Sequence, residues 1–402
     1  MDFEHSERAQ IVMEQVGAFI QRRVLPNEQT YQEQLVHTDD WTRWRIPPIV
    51  EELKAEARDL GLWNLFLPDE EHGAGLDNRD YAPVAELMGR SFLAPEVFNC
   101  AAPDTGNAEV LARYGSDLHK EQCLLPLLAG EIRSGFSMTE PAVASSDATN
   151  MKATAELDGD EVVLNGQKWW TSGAGDPRCR FLIFMGVTDP DADRHQRHSM
   201  VVVPIDSPGV KILRMIPVFG HLGEPHGHAE ILFENVRLPI ESIIAGPGRG
   251  FEIAQGRLGP GRIHHCMRII GAAERSLERL CERAMDRVAF GKPLVNLGAN
   301  RDIIADSRMA IDQARLLTLR AAWELDTSGV LGALVSISAI KVVAPNVLQQ
   351  VVDATIQIHG GEGVADPELS YLMGMARALR LADGPDEVHR AMVARLEVGK
   401  YR

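Results

Sequence analysis

The pattern of apolar positions predicts helices at the start of the chain and strands in its middle. Apolar residues recur at helical spacing from Ile11 to Ile20, and a similar pattern follows over residues 47–62, 82–88 and 108–128. From about Ser134 the pattern changes to short β-rich runs separated by Asp, Gly and Pro, which is typical of a small sandwich or barrel. These runs occupy residues 162–164, 181–187, 200–204 and 231–233.

The helical period returns after residues 246–248 (GPG). Apolar residues then follow one another at intervals of three or four, which predicts one long amphipathic helix. They are Ile269, Ala273, Leu277, Leu280, Ala284 and Val288. Two further long helices are predicted over residues 302–325 and 331–359, the second kinked at Pro345 because proline removes a helix hydrogen bond. The order of helices, strands and helices predicts an α+β multidomain chain.

Composition limits the partners of the chain. Its 402 residues are 45% hydrophobic and 24% charged, which is ordinary for a globular protein. A net charge of −16 disfavours nucleic acid or an anionic membrane as the main partner. We expect no membrane span, because no apolar run approaches the roughly 18–20 residues that a bilayer requires. The acidic N-terminus is unlike a targeting peptide, and cysteines without CxxC spacing indicate reduced thiols, so we expect a cytoplasmic protein.

Residues 379–395 (LRLADGPDEVHRAMVAR) contain an acidic turn. The DGPD sequence that begins at Asp383 has the composition of a tight turn, because Gly tolerates positive φ and Pro pre-sets the backbone. Apolar residues from Val388 onward recur at helical spacing, so the turn leads into a helix with Asp386 as its expected N-cap. Taken alone, this pattern is typical of a surface turn with solvated acids.

Two segments in the middle of the chain combine hydroxyl groups with turn formers. Residues 136–147 read FSMTEPAVASSD, and their hydroxyl and backbone N–H groups suit a ligand whose edges need donors without bulk. The alternative is a Ser-rich connection between a strand and a loop. Residues 165–173 read NGQKWWTSG, in which Asn-Gly predicts a hairpin turn that opens a strand. The two adjacent tryptophans, Trp169 and Trp170, are alternatively both core residues.

Two further motifs lie near helix ends. Residues 287–291 read RVAFG and end the long amphipathic helix. Arginines repeat every four residues along this helix, a spacing typical of a solvated face. They are Arg275, Arg279, Arg283 and Arg287. Residues 357–364 read QIHGGEGV, where Gly360 and Gly361 let a ligand approach the backbone, although Gly360 also suits a helix C-cap.

The histidines do not predict a metal site. His264 and His265 form one pair, and a second group contains His221, His226 and His228. Neither set has a closing third or fourth ligand at a spacing that zinc sites use. We therefore expect no bound metal.

The five motifs TEP…SD, NGQKxW, RxxFG, QIxGGxG and ADGPDEVH, in this order, resemble those of the acyl-CoA dehydrogenase family. The resemblance extends across nearly the whole chain and is to the branch that contains family members ten and eleven. It implies the acyl-CoA dehydrogenase fold, with an N-terminal α-helical domain (1–133), a middle β-sandwich or barrel domain (134–246) and a C-terminal domain like a four-helix bundle (247–402). It also implies FAD as the cofactor.

The resemblance assigns roles to individual residues. Asp383 falls on the catalytic carboxylate of the family. The residues that the resemblance places at FAD are Met138, Thr139, Ser146, Trp170, Ser172, Arg287, Phe290, Gln357, Gly360, Gly361, Pro385 and Glu387. Those that it places at the substrate are Ser146, Arg262 and Gly384.

Several of these roles imply particular contacts. Trp170 is expected to pack against the flavin, and Ser172 to form a hydrogen bond near its reactive ring nitrogen. Ser145 is the alternative to Ser146, because this motif is one residue longer than the commonest family form. Arg287 and Gln357, with the glycine pair, are expected to serve the FAD of a neighbouring subunit, and the Arg fork matches phosphate oxygens. The resemblance therefore implies a homo-oligomer, either a dimer or a tetramer.

The implied reaction is the α,β-dehydrogenation of an acyl-CoA to the trans-2-enoyl-CoA, as in fatty acid β-oxidation, with an electron-transferring flavoprotein as electron acceptor. The α-proton of a thioester is weakly acidic, so the carbonyl must be polarised while Asp383 takes that proton. Asp383 is one methylene shorter than the Glu of most family members, which leaves the identity of the acyl group open. The alternatives are a nitroalkane or acyl-CoA oxidase of the same fold, which passes electrons to oxygen, and a binding protein without turnover.

Overall fold

The first third of the chain forms short helices. The computed structural model describes residues 4–402, with all side chains in that range except those of Leu258 and Pro260. The helices before the sheet are α1 (Glu7–Phe19), α2 (Glu28–Gln34), α3 (Pro48–Asp59), α4 (Asn78–Met88), α5 (Ala94–Val97), α6 (Asp104–Tyr114), α7 (Asp117–His119) and α8 (Leu125–Leu128). Turns of π-helix extend α1 over Ile20–Val24 and join α7 to α8 over Lys120–Leu124.

The single helix predicted over residues 108–128 is wrong, because the chain breaks at Gly115. This residue has extended backbone angles, with ψ at 143°, and ends α6. Ser116 then caps α7, and its hydroxyl accepts a hydrogen bond from the N–H of His119 at 3.3 Å. A Gly-Ser pair favours a helix end followed by a new N-cap, and here this local chemistry outweighs the apolar period.

The middle of the chain forms one curled sheet, which confirms the predicted β domain. Its strands are β1 (Arg133–Ser137), β2 (Thr154–Asp158), β3 (Glu161–Ser172), β4 (Cys179–Val187), β5 (His198–Pro204), β6 (Val210–Met215) and β7 (His228–Pro239). The strand order is β1-β4-β2-β3-β7-β6, with β5 paired to β4. The β1–β4 pair and the single β2–β4 contact are parallel, and the other pairs are antiparallel.

The prediction of a hairpin turn at Asn165-Gly166 is wrong. Both residues lie inside β3, at an irregularity in its pairing with β7. The turn between β2 and β3 lies instead at Gly159, where φ is +63°, because an Asp-Gly pair also has the composition of a tight turn. The Asn165 side chain accepts the backbone N–H of Asn235 at 2.8 Å, so it supports the β3–β7 pair.

A row of apolar side chains forms the core beneath the sheet. Phe184 on β4 and Phe233 on β7 are buried, with ring centroids 4.7 Å apart. Trp44 packs into the same cluster, and its indole N–H donates to the carbonyl of Thr38 at 2.9 Å. Trp44, with its indole N–H hydrogen-bonded, therefore packs the loop before α3 against the sheet.

The remainder of the chain is helical again. Its helices are α9 (Gly250–Asp286), α10 (Asn300–Gly332), α11 (Leu334–His359), α12 (Gly361–Ala365), α13 (Pro367–Leu379) and α14 (Asp386–Gly399). The short strands β8 (Val288–Ala289) and β9 (Lys292–Pro293) form a hairpin between α9 and α10, so Val288 lies outside the helix in which it was expected. α11 continues through Pro345, and the non-helical residue is Gly329 within α10, where φ is +68°.

Helix α11 lies among other helices. It packs against α10, α13 and α14. In the described part of the chain it is also the one helix long and apolar enough to cross a membrane by length and composition. However, 61% of its apolar window is buried, which is typical of the core helix of a helical domain.

The contacts divide the chain into two compact units. The helical unit contains the chain up to Pro26, Gly75–Pro95 and Gly259–Arg402. The sheet unit contains Asn27–Ala74 and Glu96–Leu258. The predicted site residues fall into both units.

Candidate active site

A buried ion pair in the sheet unit connects the segment that follows β1 to β3. Lys168 on β3 is fully buried, and its Nζ donates to Oε1 of Glu140 at 2.8 Å and to the carbonyl of Met138 at 2.9 Å. The Glu140 carboxylate also accepts two backbone N–H groups just before β2, at 2.9 and 3.0 Å. Burial lowers the pKa of Lys168 to about 8, against the opposing effect of Glu140. These contacts fix the backbone that carries Met138 and Thr139.

The two candidate serines of the first motif have different surroundings. Ser145 Oγ accepts the backbone N–H of Glu140 at 2.8 Å and donates to the carbonyl of the same residue at 3.3 Å. Its hydroxyl therefore closes the loop. Ser146 is exposed, and Thr139 is half-buried with its carbonyl bound to the N–H of Trp169 at 3.0 Å. The hydroxyl presented to solvent is that of Ser146.

Trp170 is presented outward by a bulge in β3. The pairing of β3 with β7 shifts between Lys168 and Thr171, and Trp170 has a φ of +55°. A left-handed backbone is uncommon for a bulky residue and marks a local strain that the surrounding sheet maintains. The indole is 39% exposed, so Trp170 is not a core residue. The neighbouring Trp169 is half-buried, and its buried Nε1 has no hydrogen-bond partner in the described chain.

Ser172 ends β3 and contacts a histidine at the start of β7. Its Oγ lies 2.8 Å from Nδ1 of His228, a hydrogen bond whose donor depends on the histidine tautomer. Two residues earlier, His226 Nε2 lies 2.8 Å from Glu96 and its Nδ1 lies 2.7 Å from Asp176. Burial opposes the charged form of His226, but the Glu96 and Asp176 carboxylates outweigh it and raise the pKa to about 9.

In the helical unit, Asp383 lies in the turn between α13 and α14. Its φ is +54°, and that of Gly384 is +102°. The Asp383 carbonyl accepts hydrogen bonds from Nε and Nη2 of Arg262, at 3.2 and 3.1 Å, and lies 3.2 Å from Nε2 of His389. A Cβ at position 384 would lie 2.8 Å from His389 Nε2, so only glycine fits there. The turn is therefore held through its backbone.

The second acid of the turn has a structural contact. Asp386 is buried, and its Oδ2 accepts from Nε and Nη2 of Arg380 at 2.9 Å. Arg380 also donates to Gln349 at 3.1 Å. The expected N-cap role of Asp386 is wrong, because Pro385 takes the cap position and Asp386 is the first residue of α14. The Arg380 pair draws the carboxylate inward, which explains the difference.

Side chains from α9 also lie near the Asp383 carboxylate. Nε2 of His265 lies 3.8 Å from Oδ2 of Asp383, and Nδ1 of His265 lies 3.3 Å from Nη2 of Arg268. Cys266 is fully buried, and burial raises the pKa of its thiol to about 12, so it stays protonated. The Asp383 carboxylate, with 27% of its side chain exposed, is the accessible acid of this cluster.

The hairpin β8–β9 exposes two more of the predicted residues. Phe290 is 96% exposed at its tip, where Phe290 and Gly291 both have positive φ, as a two-residue hairpin turn requires. Arg287 is exposed at the base of the hairpin, and within residues 4–402 no acidic partner is found for it.

The arginines before it have partners, so the predicted solvated face is wrong for them. Arg275 and Arg279 pair with Glu368 at 2.9 and 3.0 Å, and Arg283 pairs with Glu362 at 2.8 Å. The acids of α12 and α13 cover this side of α9, whereas Arg287 lies beyond the end of the helix. Arg287, the arginine of the RxxFG motif, is therefore also the exposed arginine of this series.

The glycine motif lies at the end of α11. Gly360 is the C-cap of α11 with a φ of +66°, as predicted by the interpretation of this glycine as a helix C-cap. A Cβ at Gly360 or Gly361 would meet nothing within 4 Å, so the backbone is open to a ligand. Gln357 is exposed one turn earlier, and Glu387 is exposed in the first turn of α14.

Two contributors to the site were not predicted from the sequence. Glu140 lies within the TEP…SD motif and Lys168 within NGQKxW, and the sequence signal of their pairing is a charged residue at an inward-facing strand position. The histidine spacing suggests His228 only as a possible metal ligand, whereas its imidazole contacts Ser172. No group of three or more His, Cys, Asp or Glu side chains arranged for a metal ion is found among the described residues.

Three domain families match successive parts of the chain. They are the acyl-CoA dehydrogenase N-terminal domain over residues 6–131, the middle domain over 135–236 and the C-terminal domain over 248–397. The chain belongs to the acyl-CoA dehydrogenase family. Acyl-CoA dehydrogenase FadE2 of Mycobacterium tuberculosis is 52% identical over 100% of this chain and 98% of its own length. A solved acyl-CoA dehydrogenase structure from Mycobacterium abscessus is 59% identical, with a TM-score of 0.97 over 100% of both chains.

A third relative is considerably longer than this chain. Acyl-CoA dehydrogenase family member 10 of Mus musculus is 52% identical over 96% of this chain but only 36% of its own length. This chain therefore spans about a third of that relative. Together the matches confirm the family and fold predicted from the five motifs, and they make the chain a flavin-dependent oxidoreductase with FAD as its cofactor.

Proposed function

We propose that this chain dehydrogenates an acyl-CoA to the trans-2-enoyl-CoA, with Asp383 as the base that takes the α-proton. The observation that carries this proposal is the difference between the two acids of the turn. Asp386 is buried and paired with Arg380, whereas the Asp383 carboxylate is partly exposed on a loop held through its own carbonyl. A base must reach its substrate while its backbone stays in position, and Asp383 satisfies both requirements.

The sheet unit offers groups that fit the ring of a flavin. Trp170 presents an exposed indole face on a bulge, and Ser172 follows it on the same strand. Thr139 and Ser146 add hydroxyl groups from the loop that the Lys168 ion pair anchors. Aromatic faces and short hydroxyls suit a flat ring whose edges carry several hydrogen-bond acceptors. When bound, FAD would supply the acceptor for the β-hydride of the substrate.

The helical unit offers groups that fit the rest of the cofactor. The exposed guanidinium of Arg287 matches the oxygens of a pyrophosphate, and the open backbone at Gly360 and Gly361 admits a ligand closely. We infer that these groups, with Phe290 and Gln357, serve the FAD of a neighbouring subunit. The exposure of a large aromatic tip supports this inference, since such apolar surface favours contact with a partner. The protein would then act as a homo-oligomer.

The chain's own residues account for the proton transfer. Arg262 and His389 hold the Asp383 carbonyl, so the backbone of the proposed base is fixed in place. Burial lowers the pKa of His389 to about 4, so this imidazole remains neutral and adds no charge beside the base. Gly384 keeps backbone groups accessible beside the carboxylate, where they would polarise the thioester carbonyl. We also infer that an electron-transferring flavoprotein removes the electrons and that the enzyme serves fatty acid β-oxidation in the cytoplasm.

The test is anaerobic titration of the holoenzyme with a panel of acyl-CoAs of different chain length. The proposal predicts that at least one acyl-CoA bleaches the flavin absorption and that the product is the trans-2-enoyl-CoA. The reduced enzyme should then reoxidise slowly in air and rapidly with an electron-transferring flavoprotein. Rapid peroxide formation in air would instead support an oxidase, and bleaching by nitroalkanes alone would contradict the acyl-CoA assignment.

A further inference from the structure

His228 contacts both residues through which β3 is proposed to meet the flavin ring. Ser172 and His228 are partners in the β3–β7 register, and Ser172 Oγ lies 2.8 Å from His228 Nδ1. The same imidazole lies beside Trp170, with ring centroids 5.8 Å apart and planes tilted by 55°. The histidine is therefore placed to control the Ser172 hydroxyl, to support the indole, or to do both.

The neighbouring groups keep this imidazole neutral. Burial lowers the pKa of His228 to about 4, and the positive charge of His226 acts in the same direction. The charge of His226 is itself held by Glu96 and Asp176. At neutral pH His228 therefore has one nitrogen that donates a hydrogen bond and one that accepts, and Nδ1 can take either role.

We propose that His228 is a positioning residue that sets the direction of the Ser172 hydroxyl. This inference rests on the proposed function, in which Ser172 lies at the reactive ring nitrogen of FAD. A hydroxyl has one hydrogen and two lone pairs, so its partner on one side decides what it offers on the other. When Nδ1 donates to Ser172, the serine hydrogen points outward. When Nδ1 accepts that hydrogen, the serine offers a lone pair outward.

The two directions match the two oxidation states of a flavin. Ser172 would donate to the bare ring nitrogen of the oxidised form and accept from the N–H of the reduced form. A positively charged histidine would donate to Ser172 in both states and would favour the oxidised form alone. A neutral histidine serves both states by changing tautomer. The charge of His226 helps to keep His228 neutral, so the ion pairs of His226 have a role in the site as well as in local stability.

The test separates hydrogen bonding from packing by two substitutions at one position. His228→Phe keeps a ring beside Trp170 but removes both nitrogens, whereas His228→Gln keeps a donor and an acceptor but removes the ring. The readout is the reduction potential of bound FAD, measured on each holoenzyme by equilibration with a reference dye. We expect His228→Phe to change the ratio of affinities for oxidised and reduced FAD about tenfold, which is about 30 mV for a two-electron couple. His228→Gln should remain closer to the wild type.

Two controls complete the experiment. Ser172→Ala removes the hydroxyl itself, so it should shift the potential at least as much as His228→Phe. Adding His228→Phe to Ser172→Ala should shift the potential no further, because His228 acts through that hydroxyl. His195→Phe should have no effect, since this exposed histidine stacks on Phe251 with ring centroids 4.3 Å apart. If His228→Phe fails to fold, His228→Leu, which also removes both nitrogens, takes its place in the cycle and should give the same shift.

Three results would overturn the inference. A shift with His228→Gln but none with His228→Phe would mean that His228 only packs against Trp170. Additive shifts in the double variant would mean that His228 acts independently of Ser172. Unchanged potentials in all variants of a protein that binds FAD and is bleached by acyl-CoA would reject the inference alone, whereas a wild-type protein without FAD would reject the proposed function.

Discussion

The guanidinium of Arg262 donates two hydrogen bonds to the backbone carbonyl of Asp383, from Nε at 3.2 Å and from Nη2 at 3.1 Å. Arg262 therefore acts on the backbone of the proposed base, whose side chain is partly exposed. We predict that Arg262→Gln lowers the rate of flavin reduction by acyl-CoA about tenfold to a hundredfold, because a small displacement of a reacting group has this scale of effect. The FAD content should stay unchanged. Arg262→Lys should not restore the rate, because one ammonium cannot reproduce the two-pronged contact. Full activity in both variants would show that the anchor is unimportant.

The Asp386–Arg380 pair should stabilise the turn. We predict that Asp386→Ala lowers the free energy of unfolding by about 1–2 kcal/mol, since it removes a charged hydrogen-bond partner from Arg380, which is partly exposed and keeps its contact with Gln349. Denaturant titration followed by tryptophan fluorescence measures this change. Glu387→Ala, at the exposed neighbouring position, is the matched control and should change the value by less than about 0.5 kcal/mol. Equal stability of the two variants would contradict the structural role of Asp386.

His226 makes the stability of the protein depend on pH. It binds its proton more tightly in the folded state, because its pKa rises from a usual value near 6.5 to about 9. This contribution is complete below about pH 6.5 and is lost as the pH rises through about 9. We predict that the free energy of unfolding falls by roughly 2–3 kcal/mol across this window and that His226→Gln removes most of that dependence. The same slope in His226→Gln and wild type would exclude His226 as its source.

Arg287 should affect FAD binding without affecting the fold. It is exposed and lacks an acidic partner within the described residues, so Arg287→Ala should leave the free energy of unfolding of the apoprotein unchanged. If it binds the pyrophosphate of a neighbour's FAD, the variant should lose FAD affinity at least tenfold, by fluorescence titration. Arg320→Ala, which removes an exposed arginine paired with Glu324 one helical turn away, is the control and should bind FAD normally. Normal affinity in Arg287→Ala would contradict the shared cofactor site.

The elements with a long, regular period are the ones that the sequence predicts well. Helices α9, α10 and α11 each have many turns, so the apolar stripe outweighs local exceptions such as Pro345. The cofactor roles of the site motifs stay predictions, whereas the structure shows that Trp170 is exposed on a bulge and that Gly360 is the C-cap of α11. The side of α9 that carries Arg275 and Arg279 was not predictable, since the acids that cover it lie about 90 residues away in the sequence.

Contacts that depend on three-dimensional placement account for the other differences. Asn165-Gly166 and Asp158-Gly159 have the same turn chemistry, and only the pairing of β2 with β3 selects the second. Ser145 and Ser146 are chemically identical, and only the contact of Ser145 with Glu140 separates them. The left-handed conformation of Trp170 depends on a shift in the β3–β7 register, which no local pattern encodes.

The central claim is that Asp383 takes the α-proton, and stopped-flow reduction of the flavin by acyl-CoA without oxygen tests it most directly. Asp383→Asn keeps the size and polarity of the side chain but removes the base. We predict that this variant folds, binds FAD and acyl-CoA, and reduces its flavin at least a hundredfold more slowly than the wild type, the usual scale for losing an acid–base group. Asp383→Glu should retain part of the rate. Flavin reduction at a near-normal rate in Asp383→Asn would contradict the claim and show that another group is the base.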